Sequence, residues 1–275
     1  LFLHGLAAAA AIGVTSTANA QDLYVDTVGA NSVTKISSTG AKTVFATGLS
    51  TPFGLAFSSA RDLYVANYRN GSIVKISPAG VKTTFTTGLL NPTGIAFAPN
   101  GDLYAANYAG GGIGRGSITK ITPAGVKTTF ATGLTAPGEL AFSSTGDLYV
   151  TNYGGGVVAG VYKIAPTGTY TSFISTGSLS MPYGLSFAAN GDLYVANNGN
   201  GRITLRPAAV ATPRVYVANP SLLSGAMDTA FWGADLYVSN MNVGTIARIN
   251  TSTATPTITT YATGLRYPTG IAFAP

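Results

Sequence analysis

Three acidic residues fall outside the repeating pattern of this 275-residue chain, and they are its first candidates for chemistry. Six of the nine Asp and Glu residues belong to a recurring Asp-Leu-Tyr phrase, which leaves Asp26, Glu139 and Asp228. Carboxylate oxygens are ligands that hard divalent cations such as calcium prefer. The three residues are therefore candidate metal ligands, with calcium as the expected ion. The alternative is that they are isolated acids without a shared role.

A second candidate set recurs along the chain, with an asparagine closing each of five similar segments and a tyrosine following three of them. Its members are Asn67, Tyr68, Asn107, Tyr108, Asn152, Tyr153, Asn197 and Asn240. Tyrosine beside an amide forms a surface suited to sugars or peptides, which predicts a ligand-binding ring. The alternative interpretation is that each asparagine bonds the backbone of its own turn.

No residue is assigned a catalytic role, because the chain has no cysteine and a single histidine, His4. His4 lies in an apolar, alanine-rich run, Leu1 to Val14, which leads to Ala18-Asn19-Ala20. An apolar run followed by an A-x-A site is typical of a signal peptide, here residues 1–20 and clipped at its start. A buried amino-terminal helix is the alternative. The leader predicts a secreted or periplasmic protein that loses His4. Whether the protein is an enzyme stays undecided, although the loss of His4 argues against it.

The rest of the chain, residues 21–275, reads as one repeated unit and is interpreted as a single domain. The Asp-Leu-Tyr phrase begins at Asp22, Asp62, Asp102, Asp147, Asp192 and Asp235, with spacings of 40–45 residues. Each unit holds four short segments, named a to d, which are rich in β-branched and aromatic residues and bounded by Gly, Pro, Asn or Asp. Four strands per unit of this length indicate the blade of a β-propeller.

The order of the segments predicts an all-β, six-bladed propeller with four antiparallel strands per blade. Residues 22–26 form a segment b, whereas Pro268 to Phe273 form a segment a. The carboxyl-terminal strand is therefore expected to join the amino-terminal blade and close the ring, which removes an exposed sheet edge. A truncated seven-bladed ring is the alternative.

Alternating strand direction sorts the connections onto two faces of the ring. We define the upper face as the one that carries the d-to-a and b-to-c connections. Asp26, Glu139, Asp228 and the asparagine ring are expected on this face. Asp26 belongs to segment b, one strand further from the axis than the other two acids, so the three are not expected to share one ion. The repeat aspartates start segment b on the lower face, where they are expected to bond turn amides.

Charge distribution limits the partners. The chain has 15 Lys and Arg and a net charge of +6, but its lysines recur once per unit and form no single patch, which argues against nucleic-acid binding. The longest apolar run is too short for a membrane span. A monomer that binds a small molecule, a glycan or a protein is expected.

The motifs resemble those of a known group of propellers. Asp62 to Asn67, Asn70 to Ile76 and Pro92 to Phe97 resemble NHL-type repeats, and residues 21–275 are similar to the gluconolactonase-like and virginiamycin B lyase-like six-bladed propellers. The resemblance to gluconolactonases implies a divalent metal held by Glu, Asn and Asp at the starts of inner strands. Here the metal Asn is missing and only Asp228 matches, and no histidine after residue 20 matches those of the lyases. Family enzymology therefore does not carry over.

The favoured function is ligand or protein binding on the upper face of an exported propeller, without catalysis. The second hypothesis is a metal-dependent hydrolase or lactonase that uses Asp26, Glu139 and Asp228. The third is a propeller that serves as a scaffold within a larger cell-surface protein.

Overall fold

The computed structural model describes residues 21–154, 159–253 and 255–275. The predicted signal peptide, residues 1–20, lies outside the described residues. Within the described ranges the chain folds into 24 strands, arranged as six antiparallel sheets of four strands each. The predicted all-β, six-bladed propeller is confirmed.

Each sheet is one blade, and its strands run outward from the central channel in the order a, b, c, d. The innermost strands are β4 (Pro52–Phe57), β8 (Pro92–Phe97), β12 (Pro137–Phe142), β16 (Pro182–Phe187), β20 (Ala226–Trp232) and β24 (Pro268–Phe273). The second strands are β1 (Leu23–Thr27), β5 (Leu63–Asn67), β9 (Leu103–Asn107), β13 (Leu148–Asn152), β17 (Leu193–Asn197) and β21 (Asp235–Asn240). The third strands are β2 (Ser32–Ile36), β6 (Ser72–Ile76), β10 (Gly116–Ile121), β14 (Gly160–Ile164), β18 (Arg202–Arg206) and β22 (Thr245–Asn250). The outermost strands are β3 (Lys42–Ala46), β7 (Lys82–Thr86), β11 (Lys127–Leu134), β15 (Tyr170–Ile174), β19 (Arg214–Ala218) and β23 (Thr257–Ala262).

The two ends of the propeller chain meet in blade one. Its sheet has the order β24-β1-β2-β3, and β24 pairs antiparallel with β1 through Leu23 opposite Phe273 and Val25 opposite Ile271. Blades two to six follow along the chain, from β4–β7 to β20–β23. The order of segments in the sequence therefore predicted the closure correctly.

Each blade packs on the next through the tyrosine of the Asp-Leu-Tyr phrase. Tyr24 meets Phe45 of its own outer strand edge-on at 4.9 Å between ring centroids, and it meets Phe57 of the next blade at 5.1 Å. Equivalent pairs of contacts surround Tyr64, Tyr104, Tyr149, Tyr194 and Tyr237. Edge-to-face contacts of this kind add about 0.5–1.5 kcal/mol each beyond the burial of apolar area. The core is thus a ring of six interfaces between blades.

The repeat aspartates on the lower face differ from the expectation that they bond turn amides. In five blades the carboxylate pairs with a basic residue of the third strand, as in Asp22–Lys35 at 2.6 Å and Asp235–Arg248 at 2.6 Å. Blade five has Leu205 at the basic position, and there Asp192 accepts a backbone bond from Ala208 N at 2.8 Å. The cause is register, because each Asp starts its strand opposite the end of the third strand. Such partly exposed pairs contribute at most about 1 kcal/mol each.

Helical structure in the described ranges consists of 3₁₀ turns at Val28–Ala30, Ala109–Gly111 and Thr176–Ser178. Within these ranges no helix has the length and apolar character needed to cross a membrane.

Ring closure leads to a first prediction. Phe273 belongs to β24 of blade one but packs edge-on against Tyr237 of blade six at 4.9 Å. We expect Phe273→Ala to lower the free energy of unfolding by about 3 kcal/mol, because it removes a closing contact and leaves a cavity. For a domain of this size the melting temperature should fall by roughly 6–12 °C.

Val81→Ala is the matched control, since Val81 is 62% exposed. Its melting temperature, measured by circular dichroism, should stay within about a degree or two of that of the unmodified protein, because surface substitutions usually change stability little. If both variants melted alike, blades six and one would not depend on this contact.

Candidate functional site

The mouth of the central channel on the upper face is a cup with aromatic walls. The cavity has a volume of about 300 Å³ and is lined by Thr51, Phe53, Tyr68, Thr93, Tyr108, Tyr153, Tyr183, Asn198, Met227 and Met241. We call these residues the aromatic cup. Its lining is mostly apolar and contains no basic or acidic side chain.

Five of the rings form a continuous arc. The order is Tyr108, Tyr68, Phe53, Tyr183 and Tyr153, with successive ring centroids 6.0, 5.3, 6.0 and 5.8 Å apart. Met227 and Met241 lie with Asn198 on the remaining wall. Phe53 belongs to blade two and Tyr183 to blade five, which face each other across the ring, so the arc spans the mouth of the channel.

Two positions of the repeat supply most of this lining. The residue after each strand-ending asparagine gives Tyr68, Tyr108, Tyr153, Asn198 and Met241. The second residue of the innermost strands gives Phe53, Thr93, Tyr183 and Met227. The sequence predicted the three tyrosines of the first position, and the structure brings them together. It missed the second position, although the change of residue type within Pro-x-Gly was a usable signal.

The asparagines of the predicted ligand-binding ring lie outside the lining of the cup. Asn67, Asn107, Asn152, Asn197 and Asn240 are all buried at the ends of the second strands. In four of them the side-chain oxygen accepts a bond from the preceding d-to-a connection, for example from Ser50 N to Asn67 at 2.9 Å and from Thr135 N to Asn152 at 2.8 Å. Asn240 Nδ2 donates to Val238 O at 3.2 Å instead. The side chains turn under the loops and brace them, so the cup is built without asparagines from this ring.

The three unusual acids line the channel below the cup. Glu139 and Asp228 are the third residues of β12 and β20, where the other inner strands have glycine. Neighbouring inner strands approach so closely there that a Cβ added to Gly54 would lie 2.3 Å from Thr93 O. Asp26 reaches the same level from β1, because Gly270 in front of it has no side chain. All three lie toward the upper-face ends of their strands, and each is at most 6% exposed.

Backbone amides hold each carboxyl group. Asp26 Oδ1 accepts from Gly270 N at 2.7 Å and from the Thr269 hydroxyl. Asp228 bonds Thr229 N at 2.7 Å and Ile271 N of blade one at 2.9 Å, and Glu139 Oε1 accepts from Leu140 N at 3.1 Å. The backbone N–H groups of Glu139 and Asp228 donate to the hydroxyl oxygens of Thr151 and Ser239, both at 2.9 Å. The carboxyls are thus fixed parts of the channel wall.

Burial changes the proton affinity of these groups. Desolvation is the largest cause in each case, and it raises the pKa of Asp26 and of Asp228 to about 7. The pKa of Glu139 is raised well above its usual range, first by burial and then by the charges of Asp228 and Asp26. Burial and the same three carboxylates raise the pKa of the Tyr183 hydroxyl. The charges of the acids therefore interact across the channel. Hydrogen bonds from backbone amides lower the pKa values and only partly offset the increase caused by burial.

The metal-ligand interpretation gains no geometric support. Within the described part of the chain, no group of three or more His, Cys, Asp or Glu side chains lies close enough to hold a metal ion. Asp26, Glu139 and Asp228 interact through space without forming one coordination sphere. The channel instead combines an apolar cup with a buried, acidic floor.

The raised pKa values lead to a second prediction. The native state keeps protons on Asp26 and Asp228 up to about pH 7, whereas the unfolded chain releases them near pH 4. Their contribution to stability is therefore present below pH 4 and is lost as the pH rises to about 7. We expect the free energy of unfolding to fall by roughly 2–3 kcal/mol for each of these groups between pH 5 and pH 8, measured by urea titration.

An Asp26→Asn, Glu139→Gln, Asp228→Asn triple variant should have a flatter profile and be more stable than the unmodified protein at pH 8. Since the single histidine is His4, no histidine of residues 21–275 titrates in this interval. A profile as steep in the triple variant as in the unmodified protein would show that the three acids are not the cause.

Comparisons with known proteins identify the architecture. The sequence matches no protein-family profile, and a search of curated proteins finds no significant match. Among solved structures, a chain of a nidogen/laminin complex is 18% identical with a TM-score of 0.78, and the match covers 93% of this chain and 98% of that one. Virginiamycin B lyase from Staphylococcus aureus is 19% identical with a TM-score of 0.69, covering 93% and 88%. A gluconolactonase from Xanthomonas campestris is 17% identical with a TM-score of 0.69, covering 80% and 79%.

These neighbours include a component of a protein complex and two kinds of enzyme. Because their sequence identity to this chain is low, the comparison shows a shared fold and nothing further. The resemblance to this group of propellers, first noted in the repeat motifs, is therefore confirmed at the level of structure. The chain has the six-bladed β-propeller fold that nidogen-type, lyase and gluconolactonase propellers share.

Proposed function

We propose that this protein is an exported propeller that binds a small molecule in the aromatic cup and does not transform it. The observation that carries the proposal is the arc of five rings around a cavity of about 300 Å³. Pockets of roughly this size and larger, mostly apolar with a few polar groups, are typical small-molecule sites. The proposal that the protein is exported rests on the predicted signal peptide alone.

The arc is rigid, which favours binding. Phe53 and Tyr183 belong to inner strands, and Tyr68, Tyr108 and Tyr153 directly follow second strands whose ends are braced by buried asparagines. Aromatic side chains fixed in this way present contact area at a low cost in conformational entropy. A flat ligand can therefore enter without reorganising the channel.

The polar groups around the cup favour binding over hydrolysis. Residues 21–275 contain no Cys or His, so neither a cysteine nucleophile nor a histidine base is available in this part of the chain. The acids lie below the cup and outside its lining, with exposures of 0% for Asp26, 6% for Glu139 and 5% for Asp228. The apolar body of a molecule in the cup would therefore touch tyrosine, phenylalanine and methionine, with the carboxyl groups below it.

A hydrolase or lactonase is the second candidate function. The observation in its favour is that Asp26 and Asp228 have pKa values of about 7, which suits general acid–base catalysis. It would require a metal or a water molecule that reaches the acids from the cup. The scaffold hypothesis predicts instead that protein partners use the outer surface and ignore the cup.

Substitution of the cup tests the proposal. A set of small aromatic compounds should give saturation-transfer NMR signals with the unmodified protein, and bound compounds should displace one another. We expect a Tyr68→Ala, Tyr108→Ala double variant to weaken binding by at least about tenfold, because each lost stacking contact is worth about 0.5–1.5 kcal/mol. Tyr267→Ala is the matched control, since Tyr267 is 57% exposed and lies outside the cup.

Two results would contradict the proposal. Binding that is unchanged in the double variant would place the ligand elsewhere. Ester or lactone hydrolysis that depends on calcium, zinc or manganese, and that is lost in Asp228→Ala or Glu139→Ala, would favour the enzyme.

A further inference from the structure

The floor of the aromatic cup holds buried polar atoms that lack partners. Asp26 Oδ2 and Glu139 Oε2 are buried and have no hydrogen bond among the described residues. An unsatisfied buried polar group costs about 1–3 kcal/mol, so native structures rarely retain several together without a reason. Their common location in the channel points to a ligand group that supplies the missing bonds.

The cup and the acids are contiguous. Met227 and Thr93 line the cup, and the residues that follow them are Asp228 and Gly94. A Cβ added to Gly94 would lie 2.5 Å from Glu139 Oε1, so the missing side chain leaves space for that carboxyl. Tyr183 belongs to both levels. Its ring lines the cup, and the charges of Glu139, Asp26 and Asp228 raise the pKa of its hydroxyl.

The charge at this level is uncompensated by protein. Five of the six repeat aspartates pair with Lys or Arg on the lower face, and Asp192 bonds a backbone amide. None of the described ion pairs includes a channel acid, and no Lys or Arg lines the cup. Although the chain carries a net charge of +6, the channel is thus an acidic well beneath electron-rich aromatic faces.

We propose, resting on the proposed function, that the ligand is an organic ammonium ion with an aromatic or apolar body. The body stacks on the ring arc, and the ammonium group lies at the floor beside Tyr183, facing Asp26, Glu139 and Asp228. Aromatic faces attract cations, more strongly when water is excluded. An ammonium group carries only donors, which suits the carboxylate oxygens of Asp26 and Glu139 that lack partners.

Other ligand classes fit less well. A divalent metal needs several oxygens at about 2.3–2.6 Å, and no such group of side chains exists in the described residues. A bare metal would also leave the apolar cup without a function. An anion would face three carboxyl groups, and a neutral molecule would leave the acids without a counter-charge once they ionise.

The affinity should depend on pH. The titratable groups that face the floor are Asp26 on β1, Glu139 on β12, Asp228 on β20 and Tyr183 on β16, and no basic residue lines the cup above them. Asp26 and Asp228, with pKa values of about 7, lose their protons between pH 5.5 and 8. Affinity for an ammonium ion should therefore rise over this interval, whereas affinity for a neutral analogue should not.

The test uses three probes of nearly equal size: 2-phenylethylamine as the cation, 2-phenylethanol as the neutral analogue and 3-phenylpropanoate as the anion. Dissociation constants are measured by calorimetry or NMR titration at pH 5.5 and 8. At pH 8 we expect the amine to bind at least about tenfold more tightly than the alcohol, consistent with a desolvated cation–π contact of ~2 kcal/mol. The ratio should shrink at pH 5.5, and the anion should bind most weakly.

An Asp26→Asn, Glu139→Gln, Asp228→Asn triple variant should remove the part of the amine's advantage over the alcohol that comes from the carboxylates, and it should leave alcohol affinity unchanged. The amides replace carboxyls that are protonated at low pH, so melting at pH 5.5 shows whether the variant folds. Asp192→Asn is the control for the loss of an acid elsewhere, because Asp192 lies on the lower face. It should bind all three probes as the unmodified protein does.

The outcomes separate this inference from the proposed function. Equal binding of amine and alcohol, both lost in Tyr68→Ala, Tyr108→Ala, would overturn the ammonium proposal and keep the cup as a binding site. A preference for the amine over the alcohol that is as large in the triple variant as in the unmodified protein would also overturn it. So would the absence of amine binding, or a melting shift with calcium alone that the triple variant abolishes.

Discussion

The contact on which the whole ring depends is the edge-to-face packing of one tyrosine per blade between two other rings. Tyr24, for example, contacts Phe45 within its blade and Phe57 in the next, and Tyr237 contacts Phe273 across the closure. With one charged residue in eleven or so along the chain (9% DEKR) and no cysteine, stability must come from such packing. Because the interfaces form a closed ring, each blade supports the two beside it.

This packing fixes the diameter of the channel, and the diameter explains the composition of its wall. Inner strands approach one another so closely that glycine occupies the third position in four of six blades. The two exceptions, Glu139 and Asp228, turn their carboxyls into the channel and take bonds from backbone amides. Asp26 can do the same from a second strand because Gly270 leaves the space open. Burial therefore raises the pKa of these acids, which makes the charge at the channel wall depend on pH.

The two faces of the ring differ in how closely they follow the sequence repeat. The lower face carries regular ion pairs between repeat residues, with little variation from blade to blade. The upper face departs from the repeat at the residues that line the cup, where Phe, Thr, Tyr and Met stand at equivalent inner-strand positions. Structural neighbours of the same fold include a complex component, a lyase and a lactonase, so the architecture leaves function to these variable positions.

The architecture could be predicted from the sequence, because strand segments and turns repeat with a period typical of propeller blades and the order of the segments closes the ring. The same pattern marked Asp26, Glu139 and Asp228 as exceptions and Tyr68, Tyr108 and Tyr153 as surface aromatics. The contacts that these residues make could not be predicted, because they depend on tertiary packing. Whether Asn67 faces a ligand or braces a loop depends on a bond to Ser50, 17 residues away. That Asp26 joins the channel depends on a glycine 244 positions later in the chain. Phe53 and Tyr183 meet at 6.0 Å across blades, a distance that arises when the ring closes and that no local pattern encodes.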